Sequence, residues 1–507
     1  MMYSFFHTNL SDFRAFLITI FKWTALGSAV GLLAGIASAI FLVSLDLATA
    51  MRLTRPELLF FLPAAGFVIG WIYHRFGGSA ARGNNLVIDE IHVIDTNGAD
   101  NGANASKPVT EGGMQPVIEQ GPPQVRRIPL RMAPLILVGT VVTHLFGGSA
   151  GREGTAVQMG ASLADGLRRL LRLTPLDRRL IIMAGISGGF GSVFGTPVAG
   201  FVFGMEAQAI GRIRYEGIVP CLIAAYTGDM VTRGLGVGHA HYPLMPAVSI
   251  DPLLLTKVAI AGVICGLVAL LFIELTHGIK LSLLRFVAYP PLRPVIGGTI
   301  IIALTLLLGT EDYLGLSLPL AEDAVTGAGV VPLAFLLKLI FTAVTLGSGF
   351  FGGEVTPLFV IGSTLGFTLS GVLGVDPAFL ASLGFIAVFA GASNTPIACA
   401  LMGIELFGGG GALYLFAIAV MAYLASGHRS IYATQRVIVP KAFGVEVYEN
   451  ESLEALTARR ETVRRDYARR EHARLEQSRL RPHAAPVRED DELPDAHPVD
   501  RDRGASS

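Results

Sequence analysis

The chain repeats two unusual motifs about two hundred residues apart, inside apolar sequence. A Gly-x-Glu-x-Thr motif at residues 151–155 returns at 352–356, and a Thr-Pro-x-Ala motif with a Gly-x-Glu eight residues after its threonine, at 196–206, returns at 395–405. The offsets, 352 minus 151 and 395 minus 196, are 201 and 199 residues. Two patterns with nearly one offset indicate an internal duplication, and paired, glycine-interrupted apolar segments are typical of a transporter's binding site.

The composition favours a chain embedded in lipid. Of 507 residues, 52% are hydrophobic and 15% are charged, against about 25% charged in soluble domains. Many apolar windows approach the length needed to cross about 30 Å of hydrocarbon, but several are too short or too rich in glycine to cross alone. Such segments are expected where helices stop partway and their ends line a site enclosed by protein. We therefore predict an all-α polytopic membrane protein with inverted-repeat halves at about 23–231 and 255–444 and many tilted, partly spanning helices.

The placement of charge predicts the orientation. Five arginines lie between residues 168 and 179, and three arginine pairs lie between 459 and 470. By the positive-inside rule both segments face the cytoplasm, so both termini are expected there, in the cell inner membrane or plasma membrane. No cleavable signal pattern is found. The three cysteines stand singly in apolar context and are expected to be core residues.

Two polar segments are predicted outside the membrane. Residues 96–127 have the composition of a flexible connector. The transport domain is expected to end at residue 447, and residues 448–507 form a charged cytoplasmic tail. This tail has a Glu/Arg-rich helical pattern to about 480 and is otherwise expected to be disordered, because it has too few apolar residues for a core.

The first glycine motif, at residues 147–155, has the features of an anion site. Glycines let backbone N–H groups approach a ligand, and the helix that follows adds its positive dipole end. One helix end contributes only about 0.3 to 2 kcal/mol, whereas desolvating a small anion costs tens of kcal/mol. Several ends must therefore converge, and the sequence offers them at Gly83, Gly151, Gly352 and residues 426–427.

Glu153 is a carboxylate placed where an anion would bind. If it ionises it fills the anion site, and if it takes a proton it can swing away, so one side chain couples anion passage to proton passage. The alternative is a helix-start glutamate that only satisfies N–H groups. The duplication and the transmembrane setting favour the coupling role.

Residues 147–160, 347–358 and 427–432 resemble the signature regions of the CLC family of chloride channels and anion/proton antiporters, and the likeness covers about 23–444. The resemblance implies two oppositely oriented halves, helix N-termini that converge on a buried anion pathway, and homodimers with one pore per subunit. It also implies that Glu153 is the gating, proton-exchanging glutamate and that the Tyr432 hydroxyl points at the central anion site. No CBS domain is expected in the tail.

Four departures from the common family pattern resemble the fluoride/proton antiporter branch. Residues 83–87 read Gly-Asn-Asn-Leu-Val in place of Gly-Ser-Gly-Ile-Pro, and Thr155 replaces a proline. Glu354 and Thr356 stand where a non-acidic and a small apolar residue are usual, and Ala207 stands where chloride/proton exchangers hold an inner relay glutamate. The resemblance therefore implies export of cytoplasmic fluoride in exchange for inward protons.

Fluoride is a small and strong hydrogen-bond acceptor, so its site needs directional donors such as the Asn84 amide and the Thr356 hydroxyl. Glu354 is predicted to take part of the proton-relay role, the alternative being a buried carboxylate satisfied by backbone N–H groups. Arg152 is expected to neutralise local charge or anchor its loop beside the anion. The predicted anion-binding residues are Gly83, Asn84, Asn85, Gly151, Arg152, Gly154, Gly353, Val355, Thr356 and Tyr432.

Three other polar residues are predicted to have structural roles. Glu206 and Glu405 occupy equivalent places in the repeats, which favours packing or helix-end hydrogen bonding, and His144 is expected to be structural.

A chloride channel or chloride/proton exchanger of the same fold is the alternative function. An intramembrane hydrolase is disfavoured because His-Glu-x-x-His, Gly-x-Ser-x-Gly and phosphate-loop motifs are missing from the sequence. We expect fluoride or chloride, protons and the bilayer as partners, and no enzymatic activity, cofactor, metal or nucleic acid.

Overall fold

The computed structural model describes residues 2–99, 128–442, 447–448 and 451–480. Most of the connector predicted at 96–127 and the disordered end predicted after residue 480 lie outside these ranges. The chain divides into two units, Met1–Glu454 and Ala455–Ser507. In the second unit the structure describes a helix that continues to Leu480.

Sixteen of the α-helices in the described ranges form two series of eight, and one more follows them. The first series comprises α1 (Met2–Thr54), α2 (Leu62–Ile72), α3 (Asn84–Ala99), α4 (Met132–Leu145), α5 (Glu153–Leu170), α6 (Pro175–Phe194), α7 (Pro197–Glu206) and α8 (Ile218–Gly234). The second comprises α9 (Pro252–Phe286), α10 (Leu292–Leu308), α11 (Leu318–Thr326), α12 (Ala334–Gly347), α13 (Val355–Leu373), α14 (Pro377–Ser393), α15 (Pro396–Phe407) and α16 (Ala412–Ala425). The helix α17 (Leu453–Leu480) follows. The duplicated motifs precede α5 and α13 and begin α7 and α15, so these helices occupy equivalent places in the two series.

Helix ends follow local sequence signals that recur in both series. Thr174 caps α6 with its side chain and Asp376 caps α14, and proline stands at the start of both helices. Gly195 and Asn394 end these helices in the left-handed region, with φ of 78° and 61°. These residue types adopt that conformation at low cost. Each helix therefore stops just before a Thr-Pro that starts the next one.

Glycines bring α5 against α6 and α13 against α14. A Cβ at Gly160 would clash with the carbonyl oxygen of Gly185, and a Cβ at Gly362 would clash with that of Gly384. Small residues allow this close backbone approach between membrane helices. The same contact in both halves means that the duplication extends to helix packing.

The described part of the chain has four helices long and apolar enough to cross a membrane: Phe13–Thr54, Pro56–His92, Pro252–Phe286 and Val355–Leu373. Six other apolar helices are shorter, with 10–17 residues. At 1.5 Å per residue, the 14 residues of α4 reach only about 21 Å. Several apolar helices are therefore too short to cross the membrane alone, as the glycine-broken windows predicted.

Large exposed apolar side chains follow the outer face of α1 at helical spacing: Leu32, Ile36, Ile40, Val43 and Leu47. This stripe is what a lipid-facing helix requires.

The one sheet in the described ranges is a parallel pair, β1 (Ala209–Ile210) with β2 (Arg436–Val437). This pair was not foreseen in an all-α prediction, and it joins the segment after α7 to the segment after α16.

Candidate ion pathway

The two glycine motifs lie side by side. The Gly151 N–H donates to the Gly353 carbonyl at 2.6 Å, and the Gly353 N–H donates to the Gly151 carbonyl at 2.8 Å, which makes an isolated antiparallel bridge. The starts of α5 and α13 therefore face a common point, as convergence of helix ends requires. These two predicted residues, 202 positions apart in the sequence, are direct neighbours.

Glu153 reaches across this bridge to the other half of the protein. Its side chain is completely buried. Its Oε2 accepts hydrogen bonds from the Thr356 N–H at 3.0 Å and from the Thr356 hydroxyl at 2.5 Å. The carboxylate therefore occupies the N-terminus of α13, where a free anion would bind.

The second carboxylate oxygen of Glu153 is differently placed. Within the described ranges Oε1 accepts no hydrogen bond. It lies 3.4 Å from the Arg152 Nε, close enough for an ion pair but without hydrogen-bond geometry. Arg152 thus neutralises charge beside the glutamate, and one oxygen of the carboxylate keeps free accepting capacity.

Asn84, Glu354 and both glycine motifs meet around Gly154. A Cβ built at Gly154 would lie 3.1 Å from the Asn84 Nδ2, 3.1 Å from the Gly353 Cα and 3.4 Å from the Glu354 Oε2. No described group donates to the buried Asn84 Oδ1 or to the Glu354 Oε2. Buried polar atoms without partners are uncommon, so two of them beside Gly154 are consistent with a position that an ion or a proton visits.

Gly83 turns the chain into α3 with a φ of +58°, a conformation that favours glycine. A Cβ there would lie 3.4 Å from both terminal atoms of the Gln158 side chain. Gln158 is buried on α5 and was not among the predicted site residues. The sequence signal that could have identified it is its amide side chain, five residues after Glu153 in an apolar helix segment.

The predicted residue Asn85 makes hydrogen bonds with Thr434, which lies two residues after the predicted residue Tyr432. The Thr434 N–H donates to the Asn85 Oδ1 at 3.3 Å, and the Thr434 hydroxyl donates to the Asn85 carbonyl at 2.9 Å. Tyr432 is buried, and its ring lies 6.5 Å from that of Phe203 in an edge contact. Asn85 therefore anchors the segment that carries Tyr432. The remaining predicted residue, Val355, is buried in the first turn of α13.

Gln435, which sequence reasoning missed, fixes the segment after Tyr432. Its Nε2 donates to the carbonyls of Ala207 and Ser393, both at 3.0 Å, and its Oε1 accepts from the Asn394 Nδ2 at 2.9 Å. Ala207, the position without the relay glutamate, thus supplies a backbone acceptor. No sequence motif marks this network, because its members come from three distant segments.

Three further polar residues make the helix-end or backbone contacts predicted for them. Glu405 accepts from the N–H groups of Val198 and Ala199 at 2.9 and 2.8 Å, so it caps α7. Glu206 caps α15 in the same way, with distances of 3.1 and 2.8 Å. The two nitrogens of His144 lie 2.8 and 3.0 Å from backbone carbonyl oxygens.

Comparison with known proteins identifies the family. The family model described as voltage gated chloride channel matches residues 103–427. The chain belongs to this family. The predicted membership of the CLC family and the predicted all-α polytopic membrane fold are confirmed.

Individual relatives agree with this assignment. The chain is 46% identical over 424 residues to a chloride/fluoride channel protein of Pseudomonas syringae pv. tomato, covering 82% of this chain and 87% of the relative. It is 28% identical over 272 residues to an H(+)/Cl(-) exchange transporter of Vibrio cholerae, covering 50% of this chain and 58% of that protein.

Solved structures share the fold. A CLC-type fluoride/proton antiporter is 32% identical with a TM-score of 0.74, over 82% of this chain and 98% of that one. A slow cyanobacterial Cl−/H+ antiporter is 19% identical with a TM-score of 0.63, over 80% and 94% of the two chains, a likeness of fold alone.

Proposed function

We propose that this protein is an anion/proton antiporter that exports fluoride from the cytoplasm in exchange for inward protons, with Glu153 as the gate. The observation that supports it best is the Glu153 carboxylate bound to the N–H and hydroxyl of Thr356 at the start of α13. An anion and an ionised Glu153 compete for the same donors. Protonation removes the charge that those donors stabilise, which frees the side chain to move and the donors to bind an anion.

The donors around this position favour fluoride. Thr356 offers an N–H and a hydroxyl, and the Asn84 amide lies against Gly154 nearby. Strong, directional hydrogen bonds replace the lost hydration of a small, tightly hydrated anion better than that of a larger anion with diffuse charge. The relative named as a chloride/fluoride channel protein and the solved fluoride/proton antiporter, at 46% and 32% identity, agree with this choice.

Glu354 is assigned the inner proton-transfer step. Ala207 carries no ionisable group, whereas the Glu354 Oε2 is buried beside Gly154 and accepts no hydrogen bond from the described residues. Glu354 follows Gly353 in the chain, and Gly353 pairs with Gly151 in the loop that leads to Glu153. A proton leaving Glu153 has an acceptor within the same cluster.

In the proposed orientation the arginine-rich loop between α5 and α6 faces the cytoplasm, as do both termini of this multi-pass protein in the cell inner or plasma membrane. Two copies are proposed to form a homodimer, each with its own pathway. The alternative, chloride/proton exchange, is favoured by the more distant relatives named as H(+)/Cl(-) exchange transporters, at 28% identity. We assign transport and no enzymatic activity.

The test is ion efflux from proteoliposomes loaded with fluoride or chloride, with anion and pH recorded together outside. Wild-type protein should release fluoride while protons move the opposite way, and Glu153→Gln should abolish or uncouple the proton movement. Glu57→Gln, a change at an exposed carboxylate, is the control and should behave as wild type. Chloride efflux faster than fluoride efflux would contradict fluoride selectivity, and anion efflux without proton movement would contradict antiport.

A further inference from the structure

The Asp89 carboxylate on α3 is shared by two arginines from opposite ends of the sequence. Its Oδ2 accepts a hydrogen bond from the Arg82 Nη2, and its Oδ1 accepts one from the Arg436 Nη2, both at 3.1 Å. All three side chains are partly buried, with 33% of Arg82 and 23% of Asp89 and Arg436 exposed. One side chain of α3 therefore joins the segment before α3 to the segment after α16.

The segment before α3 leads directly to Asn84, a residue predicted to bind the anion. Arg82 is the last residue of a 3-10 helix, Gly78–Arg82. The next residue, Gly83, turns the chain into α3 with its φ of +58°. Asp89 lies in the second turn of α3, and its bond to Arg82 reaches back over the start of the helix. This contact therefore closes the turn that sets the position of Asn84.

On the other side of Asp89, Arg436 fixes the turn that carries Tyr432. The Gln435 N–H donates to the Tyr432 carbonyl at 3.1 Å, which closes a tight turn of four residues. Arg436 follows this turn directly, in β2, where its N–H donates to the Gln208 carbonyl at 3.2 Å. The position of Arg436 thus limits where the turn, and Tyr432 with it, can lie.

A second contact shows that α3 and this turn lie side by side. Thr434, within the turn, bonds to Asn85 through its N–H and its hydroxyl. Asn85 and Asp89 are four residues apart on α3, and residues at this spacing share one face of a helix. The same face of α3 is therefore tied to the chain after Tyr432 at two points, about 6 Å apart along the helix axis. Two such attachments fix the rotation of α3 against the turn as well as the distance between them.

Glu90, the next residue of α3, makes an ion pair of a different kind. Its Oε2 accepts from the Arg178 Nη1 at 2.8 Å, and the Arg178 Nε donates to the Asp165 Oδ1 at 2.7 Å. These three side chains belong to α3, α6 and α5 and are almost fully buried. Within the described ranges they bond neither to the segment before Asn84 nor to the turn of Tyr432. Glu90 thus holds α3 against the other helices, whereas Asp89 connects the two predicted anion-binding segments.

We propose that Asp89 is a positioning residue of the anion pathway, which holds the Asn84 amide and the Tyr432 hydroxyl at the separation that suits fluoride. The inference rests on the proposed function. Hydrogen bonds weaken steeply as their distance and angle depart from the optimum, and a small anion cannot fill a gap that a larger anion still spans. Loosening either segment should therefore reduce fluoride transport more than chloride transport.

The experiment measures fluoride and chloride efflux from proteoliposomes, together with the midpoint of thermal unfolding in detergent. Asp89→Asn keeps the size of the side chain but removes the charge that pairs with both arginines. We expect it to lower the ratio of fluoride to chloride efflux rates by about threefold, the scale of a partly exposed ion pair. The number of protons exchanged per fluoride should not change, because Glu153 is intact. Asp89→Glu retains the charge and should keep most of the wild-type ratio.

Glu90→Gln is the matched control, because it removes the neighbouring carboxylate from the same helix. It should lower the unfolding midpoint at least as much as Asp89→Asn does, but it should leave the ratio of efflux rates at the wild-type value. Arg436→Gln should lower the ratio as Asp89→Asn does. The double variant should be no worse than the worse single variant, because both changes break the same contact.

This inference and the proposed function fail in different ways. An unchanged ratio in Asp89→Asn, or an equal fall in Glu90→Gln, overturns the positioning role and leaves fluoride/proton exchange by the wild type standing. The positioning role is also overturned if the losses in Asp89→Asn and Arg436→Gln multiply in the double variant. Absence of fluoride movement by the wild type overturns the proposed function, and the role of Asp89 with it.

Discussion

The side-chain Nζ of Lys338 donates a hydrogen bond to the Ser149 hydroxyl, 2.9 Å away, although the two residues belong to different halves of the chain. The same Nζ donates to the Gly315 carbonyl and to the Ser317 hydroxyl, both at 2.8 Å, and Lys338 is completely buried. Ser149 lies in the glycine loop that leads to Glu153. The second half of the protein therefore holds the loop on which the proposed gate of the first half depends.

Replacing Lys338 by methionine should destabilise the protein strongly. The change preserves most of the volume but leaves several buried oxygens without a donor, at about 1 to 3 kcal/mol for each unsatisfied group. We expect a marked fall in the midpoint of thermal unfolding in detergent. Lys257→Met is the control, because its Nζ makes one bond, at 3.3 Å, to the Gly374 carbonyl near the surface. Equal midpoints for the two variants would contradict the role given to Lys338.

Glu206 and Glu405 should stabilise without affecting anion choice. Glu206, at the end of α7, caps α15, and Glu405, in α15, caps α7. Alanine at either position should lower the free energy of unfolding by about 2 kcal/mol, the upper end of the range for a helix cap. Glutamine keeps one accepting oxygen and should cost less. Thermal unfolding measures the cost, and efflux measures the ratio of fluoride to chloride rates. A changed ratio with unchanged stability would show that these carboxylates act in transport.

The Thr356 hydroxyl and the Asn84 amide should set the preference for fluoride. Thr356→Ala removes the hydroxyl that donates to Glu153, and Asn84→Ser shortens the donor beside Gly154. Both should lower the ratio of fluoride to chloride efflux by about tenfold, since a hydrogen bond to a charged group is worth about 1.5 to 3 kcal/mol. Thr356→Ser keeps the hydroxyl and is the control. An unchanged ratio in both variants would refute our account of these donors.

The segment 235–251 joins α8 to α9, and the Nε2 of its His239 lies 2.9 Å from the Ser192 carbonyl oxygen. The Met245 N–H donates to the Phe407 carbonyl at 2.7 Å, and the Val248 N–H donates to the Gly410 carbonyl at 3.1 Å. Docking of this segment should weaken in acid. Burial lowers the pKa of His239, and the Ser192 carbonyl and Asp229 oppose the shift only in part. The released segment then binds a proton more readily than the docked one. Docking is fully stable above the ordinary histidine pKa of about 6.5 and loses stability as pH falls below it, by up to about tenfold at pH 5.5.

Hydrogen exchange at the Met245 and Val248 amides, corrected for intrinsic rates, measures this docking. Protection in the wild type should be lower at pH 5.5 than at pH 7.5. His239→Gln retains a donor for the Ser192 carbonyl but does not titrate, so its protection should not change between these two pH values. An identical pH response in both proteins would exclude His239 as the cause.

The sequence predicted those parts of the pathway that motifs encode. The repeat around Glu153 and Glu354 indicated that the two glycine motifs would converge, and Gly151 and Gly353 are indeed hydrogen-bonded neighbours. It did not predict that the Glu153 carboxylate would reach the N-terminus of α13 in the other half rather than its own helix, because a side chain's partner across a duplication depends on tertiary packing.

Residues without a motif were missed for a related reason. Gln435 lies in an irregular segment whose apolar pattern has no helical or strand period, so sequence offers no basis for placing it. Its role arises from contacts with Ala207 and Ser393, which are distant from it in the chain. The β1–β2 pair is only two residues long on each strand, too short for any alternation to be recognised.

The bridge between Gly151 and Gly353 also restricts how the protein can move. Two short backbone hydrogen bonds join the halves at the place where the ion is proposed to pass. A rocking motion that opened the halves alternately to each side would break both bonds in a buried setting, at a cost of several kcal/mol in every cycle. A carboxyl side chain can rotate away from Thr356 and back without disturbing either bond. Exchange in this protein is therefore expected to proceed through side-chain rotation within a nearly static backbone.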